Sequence, residues 1–187
     1  MLGRPIVTFT VVLLSMCLVP THCFAEVDAF EHFMANLARL FDVPALSPEA
    51  LENTTGLRFA LAERSEKFLP RYSRTVTYSL VQSFPGIEES GSRLVLNLEG
   101  MPVEREWQTL ELWIPSRVWP TCVAESDLRA KFGPPAERSL PTPSPHARAT
   151  AGIPRLFLSY MTRHSLKVTF VYVNECASSV NITSTSQ

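Results

Sequence analysis

This sequence has no strong excess of either charge. Its 187 residues hold 17 Lys and Arg against 18 Asp and Glu. No basic stripe runs along it, which argues against nucleic acid as a partner. No polybasic or amphipathic segment marks it for a membrane surface. Histidine is scarce beyond the first 25 residues, where only His32, His146 and His164 occur. No His, Cys or Glu set has metal-ligand spacing, so no metal is expected. No serine sits in a G-x-S-x-G turn. The adjacent carboxylates Glu88 and Glu89 fall in a turn-rich stretch and read most simply as solvated surface. No catalytic residue and no cofactor are therefore assigned.

One apolar run is present, at the start. Arg4 precedes residues 6–19, IVTFTVVLLSMCLV, and Pro20 breaks the run before His22-Cys23-Phe24-Ala25. A charged head, an apolar middle and a small residue at the end are the parts of a secretory signal. The run is shorter than the roughly 20 apolar residues of a comfortable membrane span. Residues 1–25 are expected to be a signal peptide cut after Ala25, with an uncleaved anchor as the alternative. Met16 before Cys17 and His22 before Cys23 fit a lipid-attachment signal poorly. No stable membrane anchor is then expected after cleavage. The mature chain keeps 16 of the 17 basic residues and all 18 acidic ones, a formal charge of −2. The expected location is periplasmic or secreted.

Removing the signal also removes two of the four cysteines. Cys122 and Cys176 remain, and an even pair in an oxidising compartment reads as a disulfide. Closing a loop of that length would contribute about 3–4 kcal/mol. Two free buried thiols are the alternative.

Apolar spacing locates the elements. Phe30, Phe33, Leu37, Leu40 and Phe41 fall on one face of a helix over 28–41, with Asp28 as its N-cap and Pro44 as its stop. Ser47-Pro48 opens a second helix that closes at Gly56. Period-two alternation follows over 57–63, 74–82, 93–98 and 105–114, with 83–92 as a turn-rich loop. A helix over 123–132 stops at Gly133-Pro134-Pro135. Residues 134–154 read as a Pro-rich surface loop. About three strands follow, at 155–161, 166–173 and 178–183, before a frayed tail at 184–187. The expected fold is α+β in two layers, with helices packed on an antiparallel sheet. Residues 26–120 and 121–187 are expected as tandem helix–sheet units within one compact domain. Leu51-x4-Gly56 and Leu128-x4-Gly133 occupy matching places in them.

The helix entered through Val123-x3-Asp127-Leu128 and closed by Phe132-Gly133-x-Pro135, followed by antiparallel strands, resembles the outer-membrane assembly lipoproteins of the BamE/SmpA type. The tandem helix–loop–helix-plus-sheet order resembles the β-lactamase-inhibitory proteins. The resemblance implies an exported protein-binding module that grips its partner with a concave sheet.

The residues add a candidate surface of their own. In 105–114, Leu110, Leu112 and Ile114 point one way, while Trp107, Thr109, Glu111 and Trp113 point the other. If the aliphatic side meets the helices, two indoles and an acid stand on the outer face, as at protein interfaces. Packing of the indoles into the core is the alternative. Trp119, between prolines, is expected to staple the junction of the two units. Asn53-Thr54-Thr55 and Asn181-Ile182-Thr183 match the N-glycosylation pattern; capping chemistry is the alternative for Asn53.

These readings lead to a protein-binding module, an inhibitor or immunity protein that occludes a toxin or enzyme, with loops 83–92 and 134–154 helping to cover the partner. An envelope-assembly or structural accessory protein is the alternative. A hydrolase with a scattered site stands third.

Overall fold

A computed structural model describes residues 22–68, 72–100, 105–115, 122–140 and 155–185. Most of the expected signal peptide, Trp119, His146 and most of the Pro-rich stretch lie outside those residues.

The first helix, α1 (His22–Leu40), turns the apolar spacing into a buried stripe. Phe33, Leu37 and Leu40 are buried, and Phe30 and Phe41 pack beside them. The helix begins six positions before the expected Asp28 cap and runs across the expected cleavage point. Nothing between Pro20 and Asp28 disfavours helix, so Asp28 lies inside it rather than at its start. Helix α2 (Pro48–Thr55) has the expected ends. Ser47 Oγ accepts the Ala50 N–H at 3.2 Å. Gly56 adopts φ 77°, and its N–H donates to the Glu52 carbonyl at 2.9 Å. Helix α3 (Glu125–Phe132) starts two residues later than expected, where Asp127 Oδ2 accepts the Ala124 N–H at 2.8 Å.

Among the described residues, eight strands form one antiparallel sheet: β1 (Arg58–Lys67), β2 (Tyr72–Gln82), β3 (Glu88–Gly100), β4 (Arg105–Trp113), β5 (Glu137–Ser139), β6 (Arg155–Met161), β7 (Lys167–Val173) and β8 (Cys176–Thr185). Their order is β1-β2-β3-β4-β8-β7-β6-β5. Two four-stranded meanders thus meet where β4 pairs with β8, and α+β describes the chain.

Three expectations about loops need correction. The stretch 83–92 is loop only to Ile87, and β3 begins at Glu88. A register shift between Glu88 and Arg93 absorbs the extra residues, and Ser92 Oγ bonds the Glu88 carbonyl inside it. A bulge keeps pairing alive across Gly and Ser residues that read as a turn. Within 134–154, Glu137-Arg138-Ser139 forms β5, so the second meander has four strands rather than three. A short polar edge strand has no apolar alternation to reveal it. The chain end is not frayed at Ser184 either, since β8 continues to Thr185 against β4.

The core gathers on one side of the sheet. Leu94, Leu110, Leu158, Phe170 and Ile182 join Leu37, Leu51 and Leu128 in one buried cluster with no measurable exposure. Burying each such side chain contributes about 1.5–3 kcal/mol. Phe41 and Phe132 stack at 4.3 Å between centroids where α1 and α3 end, and Tyr160 meets both edge-on. Burial raises the Tyr160 and Tyr172 phenols above the usual tyrosine range. Cys122 and Cys176 are joined by a disulfide, as expected, with Cα atoms 5.0 Å apart. The bond ties the entry to α3 to the start of β8. Beside it, Ala177 N–H donates to the Val123 carbonyl at 3.2 Å.

Candidate functional site: the outer face of the sheet

Alternation along β4 separates two environments. Leu110 and Leu112 are fully buried in the core cluster. Trp107, Thr109, Glu111 and Trp113 share the opposite face, and neither indole belongs to that cluster. Trp113 is the most open of the four at 42 % exposure, while the other three are half-buried.

Strand register shows what each residue faces. Glu111 lies between Arg93 on β3 and Asn181 on β8. Arg93 Nη2 and Nε approach Glu111 Oε2 at 3.0 and 3.1 Å. An ion pair this exposed contributes about 0.2–1 kcal/mol to stability, so its main effect is to fix charge on the surface. The same row continues through Thr169 on β7 to Ser159 on β6, whose hydroxyls lie 3.0 Å apart. A row of polar side chains therefore crosses five neighbouring strands, from the exposed Arg93 to the buried Ser159, with hydrogen bonds at its two ends.

Beside it runs a less polar row. Trp113 is opposite Ser179 on β8, followed by Val171 on β7 and Phe157 on β6. Val171 is buried yet stands outside the main core cluster. The Trp113 N–H donates to Ser92 Oγ at 3.0 Å, anchoring the backbone at the bulge. Its indole lies over Gly91, where an added Cβ would sit 3.4 Å from Cδ1. That is ordinary contact; what favours glycine there is its left-handed backbone, at φ 86°.

The four expected residues do not form one tight cluster. Trp107 is six positions from Trp113, roughly 20 Å along a strand. It faces Asn97 on β3, which accepts from Thr75 Oγ1 at 3.0 Å. Trp113, Glu111 and Arg93 make one patch, and Trp107 lies at the far end of the face. Sequence reading missed Arg93, Asn181, Thr169 and Ser159. Only their cross-strand partners place them here, and no local pattern records those partners.

The other residues weighed from sequence are dispersed. His32 is exposed on α1, and His164 is exposed in the β6–β7 turn, where Arg163 Nε donates to its Nε2 at 3.0 Å. Glu89 accepts from the Ser83 N–H at 3.2 Å, while its neighbour Glu88 is paired opposite Trp113. Among the described residues, no three His, Cys, Asp or Glu side chains gather as a metal site. No helix among them is long and apolar enough to cross a membrane. Asn53 is exposed in α2, whereas Asn181 is half-buried in an interior strand between Glu111 and Thr169.

Comparison of the chain with protein-family models, with curated proteins and with solved structures finds no match.

Proposed function

We propose that the chain is an exported protein-binding module, an inhibitor or immunity protein that covers the active site of a toxin or enzyme with the outer face of its sheet. The observation carrying this reading is Trp113. It stands 42 % exposed next to the Arg93–Glu111 pair on a continuous eight-stranded sheet. A partly exposed indole with charges around it has the chemistry of an interface anchor. Glu111 would meet basic groups of the partner and guide its approach.

The architecture is read as two layers built from tandem units. Each meander follows helical structure, and the last strand of each lies at the sheet centre. Leu51 and Leu128 are both fully buried, each five residues before a positive-φ glycine, Gly56 at 77° and Gly133 at 78°. Both glycine N–H groups donate to the carbonyl four residues back at 2.9 Å. This order is what suggests the likeness to β-lactamase-inhibitory proteins. Export is supported by the apolar run at 6–19, and a disulfide is at home in an oxidising compartment.

The test is retention from an envelope extract by the immobilised mature protein. The native chain is expected to hold back an enzyme or toxin and to suppress its activity. Trp113→Ala should weaken that complex by about 2 kcal/mol or more, and Glu111→Arg should slow its formation, both at unchanged circular dichroism. Failure of the native chain to retain any protein, or equal binding by both variants, refutes the proposal.

A further inference from the structure

One edge of the sheet is long and the other is short. β5, at one end, has three residues, while β1, at the other, has ten. Among the described residues β1 pairs only with β2, and no other strand lies along its second side. Such an edge is a template for another strand, and proteins usually guard it with charge. β1 does carry charge, but in a particular order.

From Glu63 to Lys67 the register against β2 is regular, running from Glu63 opposite Thr77 to Lys67 opposite Ser73. The five residues are Glu63, Arg64, Ser65, Glu66 and Lys67. Reversing the segment about Ser65 exchanges every acid for a base. An antiparallel copy centred there sets Glu63 against Lys67 and Arg64 against Glu66, twice each by symmetry. Centring the copies on Arg64 would oppose two arginines; centring on Glu63 or Glu66 would oppose two glutamates. Opposite charges directly across a strand pair stabilise it, and like charges destabilise it. The same charges that keep β1 apart from strands in general thus select one partner and one register.

The neighbouring apolar residues fit the same arrangement. Leu61 is 62 % exposed and Phe68 is 69 % exposed. Leu61 is opposite Tyr78, on the face that carries the core, and Phe68 packs against Tyr72 with centroids 5.6 Å apart. In the Ser65-centred register, Phe68 of each copy falls opposite Ala62 of the other, one residue from the exposed Leu61.

We infer that β1 is the seam of a symmetric homodimer, joined antiparallel about Ser65 so that the two sheets become continuous. The seam uses neither Trp113 nor Glu111, so each copy keeps its outer patch open. It stands or falls independently of the proposed inhibitory role.

Sedimentation velocity on protein purified from expression of the full chain tests this. The native protein is expected to pass from monomer to dimer as concentration rises, with weaker association at high salt. Lys67→Glu places two glutamate pairs across the seam and should raise the dissociation constant about tenfold. Glu63→Lys should do the same with lysines. The double variant restores opposite charges and should associate like the native protein. Mixing the two single variants should produce a heterodimer, because each then supplies the charge the other lacks. A native protein that stays monomeric overturns the seam. So does a dimer indifferent to Lys67→Glu, or one that the double variant and the mixture fail to restore, with circular dichroism reporting intact folding in each.

Discussion

β2 and β7 each place an apolar residue at every second position, yet these residues end up in different surroundings. In β7, Val168, Phe170 and Tyr172 are all buried in the core. In β2, Val76, Tyr78 and Leu80 share a face, and of these only Leu80 is buried. Leu80 lies near Phe84 and Ile87, at the end of the arm where α1 contributes Phe33, whose ring is 6.1 Å from that of Phe84. Toward Tyr72 the same face opens into a groove lined by Val76, Leu96 and Leu98. β2 has eleven residues and β7 has seven, so the longer strand runs past the packed region. Alternation states which face is apolar; it does not state whether anything covers that face.

The contrast between the two halves is open to measurement. The greatest single loss is expected at the disulfide, which only the second half possesses. With 54 residues of separation, replacing Cys122 and Cys176 by Ser should cost about 4 kcal/mol in urea unfolding. A reduced native protein should show the same loss. A smaller effect than 1 kcal/mol would mean that sheet pairing alone holds α3 in place.

Next in size is truncation along the covered and uncovered strands. Leu110→Ala in the core should cost about 3 kcal/mol, and Leu96→Ala on the half-buried arm about 1 kcal/mol. Equal losses would erase the distinction drawn between the two regions. The matching helix ends should also differ. Gly56 has ψ 4°, in the left-handed region, and Gly133 has ψ −166°, a conformation essentially confined to glycine. Gly56→Ala should cost about 1 kcal/mol and Gly133→Ala about 2 kcal/mol by thermal unfolding.

Helix starts should respond in opposite directions. Ser47→Ala removes a side-chain cap and should cost about 1 kcal/mol, whereas Ala124→Ser supplies one and should add about 0.5 kcal/mol. The smallest effect is a pH dependence. The Arg129 hydrogen bond, aided by Arg138, holds Glu125 below the usual carboxylate range against the opposing effect of burial. Its contribution is present above the unfolded value of about 4.3 and fades as pH falls through the lower folded value. Glu125→Gln should therefore lose less stability than the native protein between about pH 5 and pH 3. Identical acid limbs in urea titrations would show that Glu125 has no part in them.

Much of the fold was legible from single residues. Ser47-Pro48 and Gly56 bound α2 because capping and left-handed turns are local chemistry. The phase of Leu110 and Leu112 against Trp113 was legible because side chains alternate across any strand. Asp28 misled because a good cap residue is also tolerated inside a helix. β5 was hidden because three polar residues at an edge need no apolar pattern. The candidate patch was half legible: Glu111 and Trp113 sit together on one strand, while Arg93 and Asn181 reach them through pairing.

The sequence by itself determined most of the element types, the apolar face of the longer strands and the pairing of Cys122 with Cys176, all of which depend on periodicity and counting. Tertiary structure alone decided that β4 would lie beside β8, that the apolar face of β7 would be buried more completely than that of β2, and that Arg93 would stand 3.0 Å from Glu111. Those outcomes depend on contacts between residues far apart in the chain, and the energy of such a contact appears only once both partners are in place.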